Sequence, residues 1–191
     1  MALPHDIADL LAQLEANERE ALNIVDGLDE ERGRWQPRPG AWSVAECLDH
    51  LAKGNRAYLD AMRGAAARAR QANRVRRGPA KPGAIGGWFV RSLDLPVKTK
   101  MKAPGKIKPS IAPPLRESLD AFIASHRDVR AFLEANADLD LSSIHFPNPF
   151  VSIVRFSLAT GFNVLTAHAR RHLWQARRVR DAMEGKPAGA V

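Results

Sequence analysis

Apolar side chains recur every three or four residues in four long stretches of the chain. The stretches cover residues 6–28, about 44–74, about 114–136 and about 157–184. Such spacing places the apolar side chains of each stretch on one face of an α-helix. Because no single helix can bury its apolar face alone, the pattern predicts an all-α fold. We expect a four-helix bundle that forms a single domain over residues 1–191.

The link between the second and third predicted helices differs in composition from the rest. Residues 76–114 hold seven of the 13 prolines and five of the 13 glycines. Proline and glycine at this density oppose a long regular helix. We therefore expect a long loop or insertion over residues 76–112, either mobile or folded over the mouth of the bundle. Within it, residues 86–93 could form one short helix or an anchor. A link of this length lets the two flanking helices run parallel, and no alternating pattern predicts a sheet.

The overall composition is that of an ordinary globular protein. The 191 residues are 45% hydrophobic and 26% charged, and no apolar run approaches the ~20 residues of a membrane span. Cys47 is the only cysteine, which excludes an intramolecular disulfide and a cysteine-based zinc site. Acidic residues near the start of the chain argue against a signal peptide. We therefore expect a cytoplasmic protein without a membrane span.

The net charge of +8 is concentrated in one region. Residues 63–108 contain 13 lysines and arginines and a single acidic residue, Asp94, which gives a local charge of +12. Such a run attracts phosphates, nucleic acid or an anionic membrane, or forms a solvated basic loop. Its only aromatic residues are Trp88 and Phe89, too few for a base-stacking platform. Nucleic acid is therefore the weaker hypothesis for a partner.

The histidines offer a candidate metal site. His168 and His172 lie four residues apart in the sequence HARRH, which puts both rings on one face of a helix, one turn apart. Two imidazoles so placed can bind one metal ion, and His50 on the second predicted helix is the natural third ligand. Ala169 stands where an HExxH metalloprotease carries its glutamate, which excludes that activity. The alternative is that these histidines are hydrogen-bonded core or surface residues without a metal ion.

Three imidazole ligands leave at least one coordination position open. All-imidazole ligation suits zinc, nickel, iron and copper, and we expect zinc or nickel first, with iron or copper as alternatives. The ion would activate either water, which leads to hydrolysis, or a thiol, which leads to transfer onto an electrophile. The ligand set alone does not choose between these reactions, and no further catalytic residue is assigned.

Four further residues are candidates for a role beside the ligands or in a neighbouring cavity. Glu46 could accept a hydrogen bond from a ligand histidine or complete a capping box at the start of its helix. His126 falls on the apolar face of the third helix, as a cavity residue or an ordinary core histidine. Arg171 could reach an anionic substrate or lie on a solvated face. Gln175, three residues after His172, could bond the ligand imidazole or be a surface residue.

Two motifs resemble those of a known family. The segment WQPRPGAWSVAECLDHL at residues 35–51 resembles the opening motif of the DinB-like family, in which Trp-Ser begins the second helix and a histidine follows seven residues after the serine. The segment FPNPF at 146–150, followed by SLATGFNVLTAHARRHLWQ at 157–175, resembles the closing motif. That motif is a proline-containing loop and then a helix carrying HxxxHxxQ. Both motifs occur in the family's order and on the corresponding helices.

The resemblance implies a four-helix bundle with a metal ion held by three histidines, which correspond here to His50, His168 and His172. The family is similar to metal-dependent hydrolases and to S-transferases that use bacillithiol, mycothiol or glutathione. We therefore expect a metal-dependent S-transferase or hydrolase that acts on a small molecule, with a low-molecular-weight thiol as a candidate partner and a homodimer as a candidate assembly. The alternatives are a non-catalytic stress-response or binding protein of the same fold, and a nucleic-acid-associated protein acting through residues 63–108.

Overall fold

The computed structural model describes residues 3–96 and 102–186. It is mostly helical, with one small antiparallel sheet. The elements are α1 (His5–Val25), α2 (Glu30–Arg34), α3 (Val44–Gln71), α4 (Ala84–Leu93), a 3-10 helix (Gly105–Ile107), α5 (Leu115–Ala135), β1 (His145–Pro147), β2 (Arg155–Ser157) and α6 (Leu158–Met183). Within these residues, no helix combines the length and the apolar character needed to cross a membrane.

The four long helices, α1, α3, α5 and α6, correspond to the four amphipathic stretches of the sequence. Side-chain caps fix where two of them begin. The Glu46 backbone N–H donates to Ser43 Oγ at 3.2 Å, and the Ser43 N–H donates to the Glu46 carboxylate at 2.8 Å, which completes a capping box on α3. On α6 the Thr160 N–H donates to Ser157 Oγ at 3.1 Å. These caps set the first turns of the two helices that carry the candidate ligands.

The helices α3 and α5 run parallel, which the length of their connection allows. Asn55, in the middle of α3, donates to Ser125 of α5 at 3.0 Å. Arg70, at the end of α3, pairs with Asp138 just beyond the end of α5 at 2.9 Å. Equivalent parts of the two helices therefore lie side by side.

The helices α3 and α6 run antiparallel and approach closely. Gly54 in the first half of α3 lies beside His168 near the middle of α6, while Met62 in the second half of α3 lies against Gly161 near the start of α6. A Cβ atom at Gly161 would lie 2.9 Å from the sulfur of Met62 and 3.0 Å from the Phe146 ring, so a larger residue would force these side chains to shift. The crossing brings the histidines of the two helices to the same level.

Buried apolar side chains form two clusters along the four long helices. The break between them falls within residues 52–58 of α3 and 167–169 of α6. Asn55 and His168 lie at this level. The core is therefore interrupted by a layer of polar side chains at the height of the candidate metal site.

The absence of a sheet was a wrong expectation. Strands β1 and β2 form a hairpin in which His145 pairs with Ser157, Phe146 with Phe156 and Pro147 with Arg155. Each strand has only three residues, which is too short for an alternating pattern to be recognised. The hairpin projects a turn, residues 148–154, beside the start of α6.

The long connection contains more ordered structure than a loop. Residues 86–93 do lie in a short helix, α4. This helix packs directly on α6, so closely that a Cβ atom at Gly86 would overlap the Thr160 side chain. Asp94 after α4 forms a 2.6 Å ion pair with Arg170 of α6. Residues 97–101 of the predicted loop lie outside the described residues. The connection thus covers one side of α6 next to the histidines.

Candidate metal centre

Three imidazoles from two helices converge on one point. His50 comes from α3, and His168 and His172 come from successive turns of α6. Their ligand nitrogen atoms all lie within 4.8 Å of one another, and Nε2 of His50 is 3.0 Å from Nε2 of His168. The ring of His50 packs edge-on against both other rings, with centroids 4.9 Å and 4.5 Å away. The structure therefore brings together the three histidines that the sequence singles out.

Hydrogen bonds orient two of these rings so that Nε2 faces the common point. His50 Nδ1–H donates to the backbone carbonyl of Ile107 at 2.6 Å. His172 Nδ1–H donates to the side-chain oxygen of Gln175 at 3.0 Å. A carbonyl oxygen only accepts hydrogen bonds, so each Nδ1 carries the proton and each neutral ring presents an unprotonated Nε2. This is the form in which histidine binds a metal ion.

The surroundings of the three rings disfavour protonation. Burial lowers the pKa of His50 below its usual value, and it lowers that of His168 well below. The pKa of His172 falls to about 3, because its ring is buried and the neighbouring His50 repels a second positive charge. Neutral rings leave their lone pairs available, so the centre is ready for a cation near neutral pH.

The donor set and its spacing fit a divalent transition-metal ion. Two imidazole nitrogens bound to one tetrahedral zinc ion at about 2.0–2.1 Å lie about 3.3 Å apart. The 3.0 Å between Nε2 of His50 and His168 is close to this value. Three neutral imidazoles also suit nickel, iron and copper by their chemistry. The residues present thus fit the metal that the spacing of the histidines predicts.

Trp42 closes one side of the histidine cluster. Its ring centroid lies 4.7 Å from that of His50 and 5.5 Å from that of His172, with both rings tilted against the indole. Trp42 stands immediately before the cap of α3, so the capping box that starts the helix also positions this indole. Packing on two ligand rings at once restricts their rotation, which supports a preformed site.

A cavity of about 330 Å³ opens from the cluster. The three histidines form part of its wall, and most of the remaining surface is apolar. The apolar lining residues include Ile85, Trp88, Phe89, Leu93, Phe150, Val151, Val154, Phe156 and Val164. The polar lining comes from few groups, among them Arg171 and the Tyr58–Asn148 pair, in which Asn148 donates to the Tyr58 hydroxyl at 3.3 Å. A concave, largely apolar wall with a few polar groups is typical of a small-molecule site.

The further candidate residues are placed differently with respect to this centre. Gln175 bonds a ligand ring, and Arg171, although nine-tenths buried, lines the cavity. Glu46 instead completes the capping box and accepts a hydrogen bond from Gln36 at 2.9 Å. His126 does not line the described cavity, and its Nδ1 accepts from Asn55 at 3.0 Å. Two of the four candidates thus lie at the centre and two lie apart from it.

Some groups of the site carry no recognisable signal in the sequence. The Ile107 carbonyl that orients His50 belongs to the backbone of the proline-rich connection, 57 residues away along the chain. Any residue type supplies such an acceptor. The aromatic walls come from α4 and from the hairpin, whose residues have no long periodic pattern. Trp42 does carry a signal, because it directly precedes the serine cap.

Comparison with known protein families supports the resemblance that the two sequence motifs indicate. The family model of the DinB superfamily matches residues 13–176, a span that contains all three histidines and most of the four long helices. No curated protein and no solved structure matches the chain. With a match over most of its length, the chain belongs to the DinB superfamily.

Proposed function

We propose that this protein is a metal-dependent enzyme, an S-transferase or hydrolase that acts on a mainly apolar small molecule. One observation carries the proposal: three neutral imidazoles point their nitrogens at one place in the wall of an apolar cavity. His50, His168 and His172 would hold the ion, with zinc or nickel first. When bound, such an ion lowers the pKa of a thiol or water and so supplies a nucleophile at neutral pH.

The residues around the ligands would select and place the substrate. The apolar walls exclude water and favour an apolar or aromatic electrophile. Burial raises the pKa of the Tyr58 hydroxyl, which keeps it protonated as a hydrogen-bond donor. Because Tyr58 already accepts from Asn148, its own O–H proton can be directed toward a polar atom of the substrate.

Arg171 would bind a negatively charged group next to the nucleophile. It adjoins His172 in sequence and contributes to the same cavity. Its buried guanidinium stays charged because, although burial lowers its pKa, the usual value lies far above neutral pH. A low-molecular-weight thiol with a carboxylate, or an anionic electrophile, would complement this charge.

In S-transfer, a carbon–sulfur bond forms between the thiol sulfur and the electrophilic carbon. The bond from that carbon to the leaving group breaks, and the thiol proton passes to solvent. In hydrolysis, water takes the place of the thiol. We also propose that the four long helices form the four-helix bundle that the resemblance implies, with the connection between α3 and α5 contributing part of the substrate site.

The test combines metal analysis with an assay of both reactions. Purified protein is loaded with zinc or nickel and incubated with a thiol and chlorodinitrobenzene, and separately with an aryl ester. We expect metal-dependent product in at least one assay, lost in His168→Ala and retained in His145→Ala. His145 is a matched control because its ring is exposed and lies outside the cavity. Equal rates in metal-loaded and metal-free protein would contradict the proposal.

A further inference from the structure

The mouth of the cavity exposes an unusual group of large apolar side chains. On α4, Ile85 and Trp88 are 74% and 64% exposed although both line the cavity. On the turn of the hairpin, Val151 also lines the cavity and is 49% exposed, and Ile153 nearby is 90% exposed. We call these four residues the apolar rim. Exposed apolar groups concentrated in one place mark an interaction surface, unlike single exposed residues elsewhere.

Packing of α4 on α6 fixes the orientation of the two apolar-rim residues that α4 carries. Gly86 lies directly on Thr160 of α6, and Leu93 at the end of the same helix is buried. The 2.6 Å ion pair between Asp94 and Arg170 ties the end of α4 to α6. With one face of α4 fixed on α6, the opposite face carries Trp88 into solvent. Its exposure is therefore a consequence of how the helix is seated.

The charges around the apolar rim are almost all positive. The described segments that form the mouth are residues 81–96, 102–108 and 145–157. Their charged side chains other than histidine are Lys81, Arg91, Asp94, Lys102, Lys106, Lys108 and Arg155. The one acidic group, Asp94, is already paired with Arg170. The mouth of the cavity thus combines the apolar rim with a net positive charge around it.

We propose that the apolar rim docks the protein on an anionic lipid surface, with the cavity mouth facing the bilayer. Indole and aliphatic side chains enter the interfacial region of a bilayer, and lysine and arginine beside them attract anionic headgroups. A second copy of this chain fits this face poorly, because it would bring two positively charged mouths together. Nucleic acid fits poorly as well, because Trp88 is the single aromatic side chain among the four rim residues, too little for a base-stacking surface.

Docking in this orientation has a consequence for the substrate. An apolar molecule dissolved in the bilayer would pass from the membrane into the apolar cavity without crossing water. This consequence rests on the proposed function and names lipophilic molecules as the substrate class. The docking itself needs only the surface of the protein and not the metal ion, so the two ideas can fail separately.

Vesicle sedimentation tests the docking. We expect the protein to bind vesicles of phosphatidylcholine with phosphatidylglycerol more tightly than vesicles of phosphatidylcholine alone, and less tightly as salt screens the charges. The double variant Ile85→Ser/Trp88→Ser should lose at least about tenfold in binding, because two interfacial anchors are removed. Leu22→Ser is the matched control, since Leu22 is an exposed apolar residue of α1 outside the mouth. It should bind as the wild type does.

A second measurement does not depend on the folding of the double variant. Brominated phosphatidylcholine mixed with phosphatidylglycerol should quench part of the tryptophan fluorescence of the wild type, and Trp88→Phe should remove that part. The metal-site variant His168→Ala should bind vesicles as well as the wild type, which separates docking from catalysis.

Three results would overturn the docking proposal. One is no binding to anionic vesicles, or binding unchanged in the double variant. Another is a dimer, detected by analytical ultracentrifugation, that the double variant dissociates, which would assign the apolar rim to a second copy. The third is salt-sensitive binding of duplex DNA that the same double variant abolishes.

Discussion

Two groups of histidine side chains, one wholly and one partly buried, lie in the same helical core and have opposite surroundings. At the candidate metal centre, three rings from α3 and α6 share one point and face a cavity. One turn further along α3, Asn55 contacts a single ring, His126 of α5, and the ring of Phe122 lies 4.5 Å from it. Within the described residues, His126 Nε2 is buried without a hydrogen-bond partner. We call the three converging rings the open centre and His126 the closed histidine.

The difference that matters between them is one of convergence and access, because the pKa is lowered in both groups. Burial lowers the pKa of every ring in both groups, to about 3 for His172 and to about 4 for His126. Only the open centre adds a second and third imidazole and a path to its nitrogens. A depressed histidine pKa therefore does not by itself identify a functional residue here. Several lone pairs aimed at one accessible point do.

The largest expected effect is a loss of zinc affinity when a ligand of the open centre is removed, with no loss when the closed histidine is removed. His172→Ala should weaken zinc affinity by about 4 kcal/mol, roughly a thousandfold, if each ligand contributes a similar share of a typical zinc binding energy. His126→Ala should leave zinc affinity unchanged, because its ring does not line the cavity. Competition titration with a zinc chelator measures both. Equal losses in the two variants would erase the distinction between the groups.

The closed histidine should add its own pH dependence to the stability of the protein, alongside that of the open centre. Its pKa is about 4 in the folded chain and about 6.5 when unfolded. Between these values the unfolded state binds a proton that the folded state does not, so stability falls as pH drops from 6.5 to 4. The contribution is about 3 kcal/mol in total. Urea unfolding of metal-free wild type and His126→Leu at several pH values measures it.

In His126→Leu the dependence on pH across that window should become shallower by about this amount, whatever the change in absolute stability. His145→Leu, at an exposed position, is the control and should keep the slope of the wild type. An unchanged slope in His126→Leu would show that the ring is protonated in the folded protein as readily as in the unfolded one.

The smallest expected effect is the loss of metal affinity when Gln175, which orients the ligand His172, is removed. Gln175→Ala removes the acceptor that holds the His172 ring but leaves all three ligands in place. Loss of such an orienting contact typically lowers metal affinity by about tenfold. The stoichiometry should stay the same. Gln36→Ala is a suitable control, because that amide bonds Glu46 of the capping box and no ligand.

Much of the fold follows from the helical periodicity of the sequence. The four long helices appear as amphipathic stretches, and the length of the chain between α3 and α5 allows their parallel course. The hairpin could not be foreseen, since three-residue strands that include Pro147 show no periodicity. Residues 86–93 allowed a helix or an anchor, and only packing against Thr160 decides for α4.

The candidate site also has residues that the sequence predicts and residues that it does not. The three ligand positions follow from HARRH and from the resemblance, because side-chain identity and helical spacing carry that information. Which neighbouring residue reaches them does not, because it depends on how the helices are rotated. His126 and Gln175 were both open alternatives in the sequence, and tertiary packing puts only Gln175 against a ligand. The Ile107 carbonyl is a backbone group that sequence reasoning had no means to select.

The account depends most on three imidazoles sharing one ion, and extended X-ray absorption fine structure on zinc-loaded protein tests this directly. The spectrum should show three imidazole nitrogens at about 2.0–2.1 Å and one further light ligand. It should show no sulfur, because the single cysteine, Cys47, is buried in the core away from the cavity. Two or fewer imidazoles per zinc, or a sulfur ligand, would contradict the central claim.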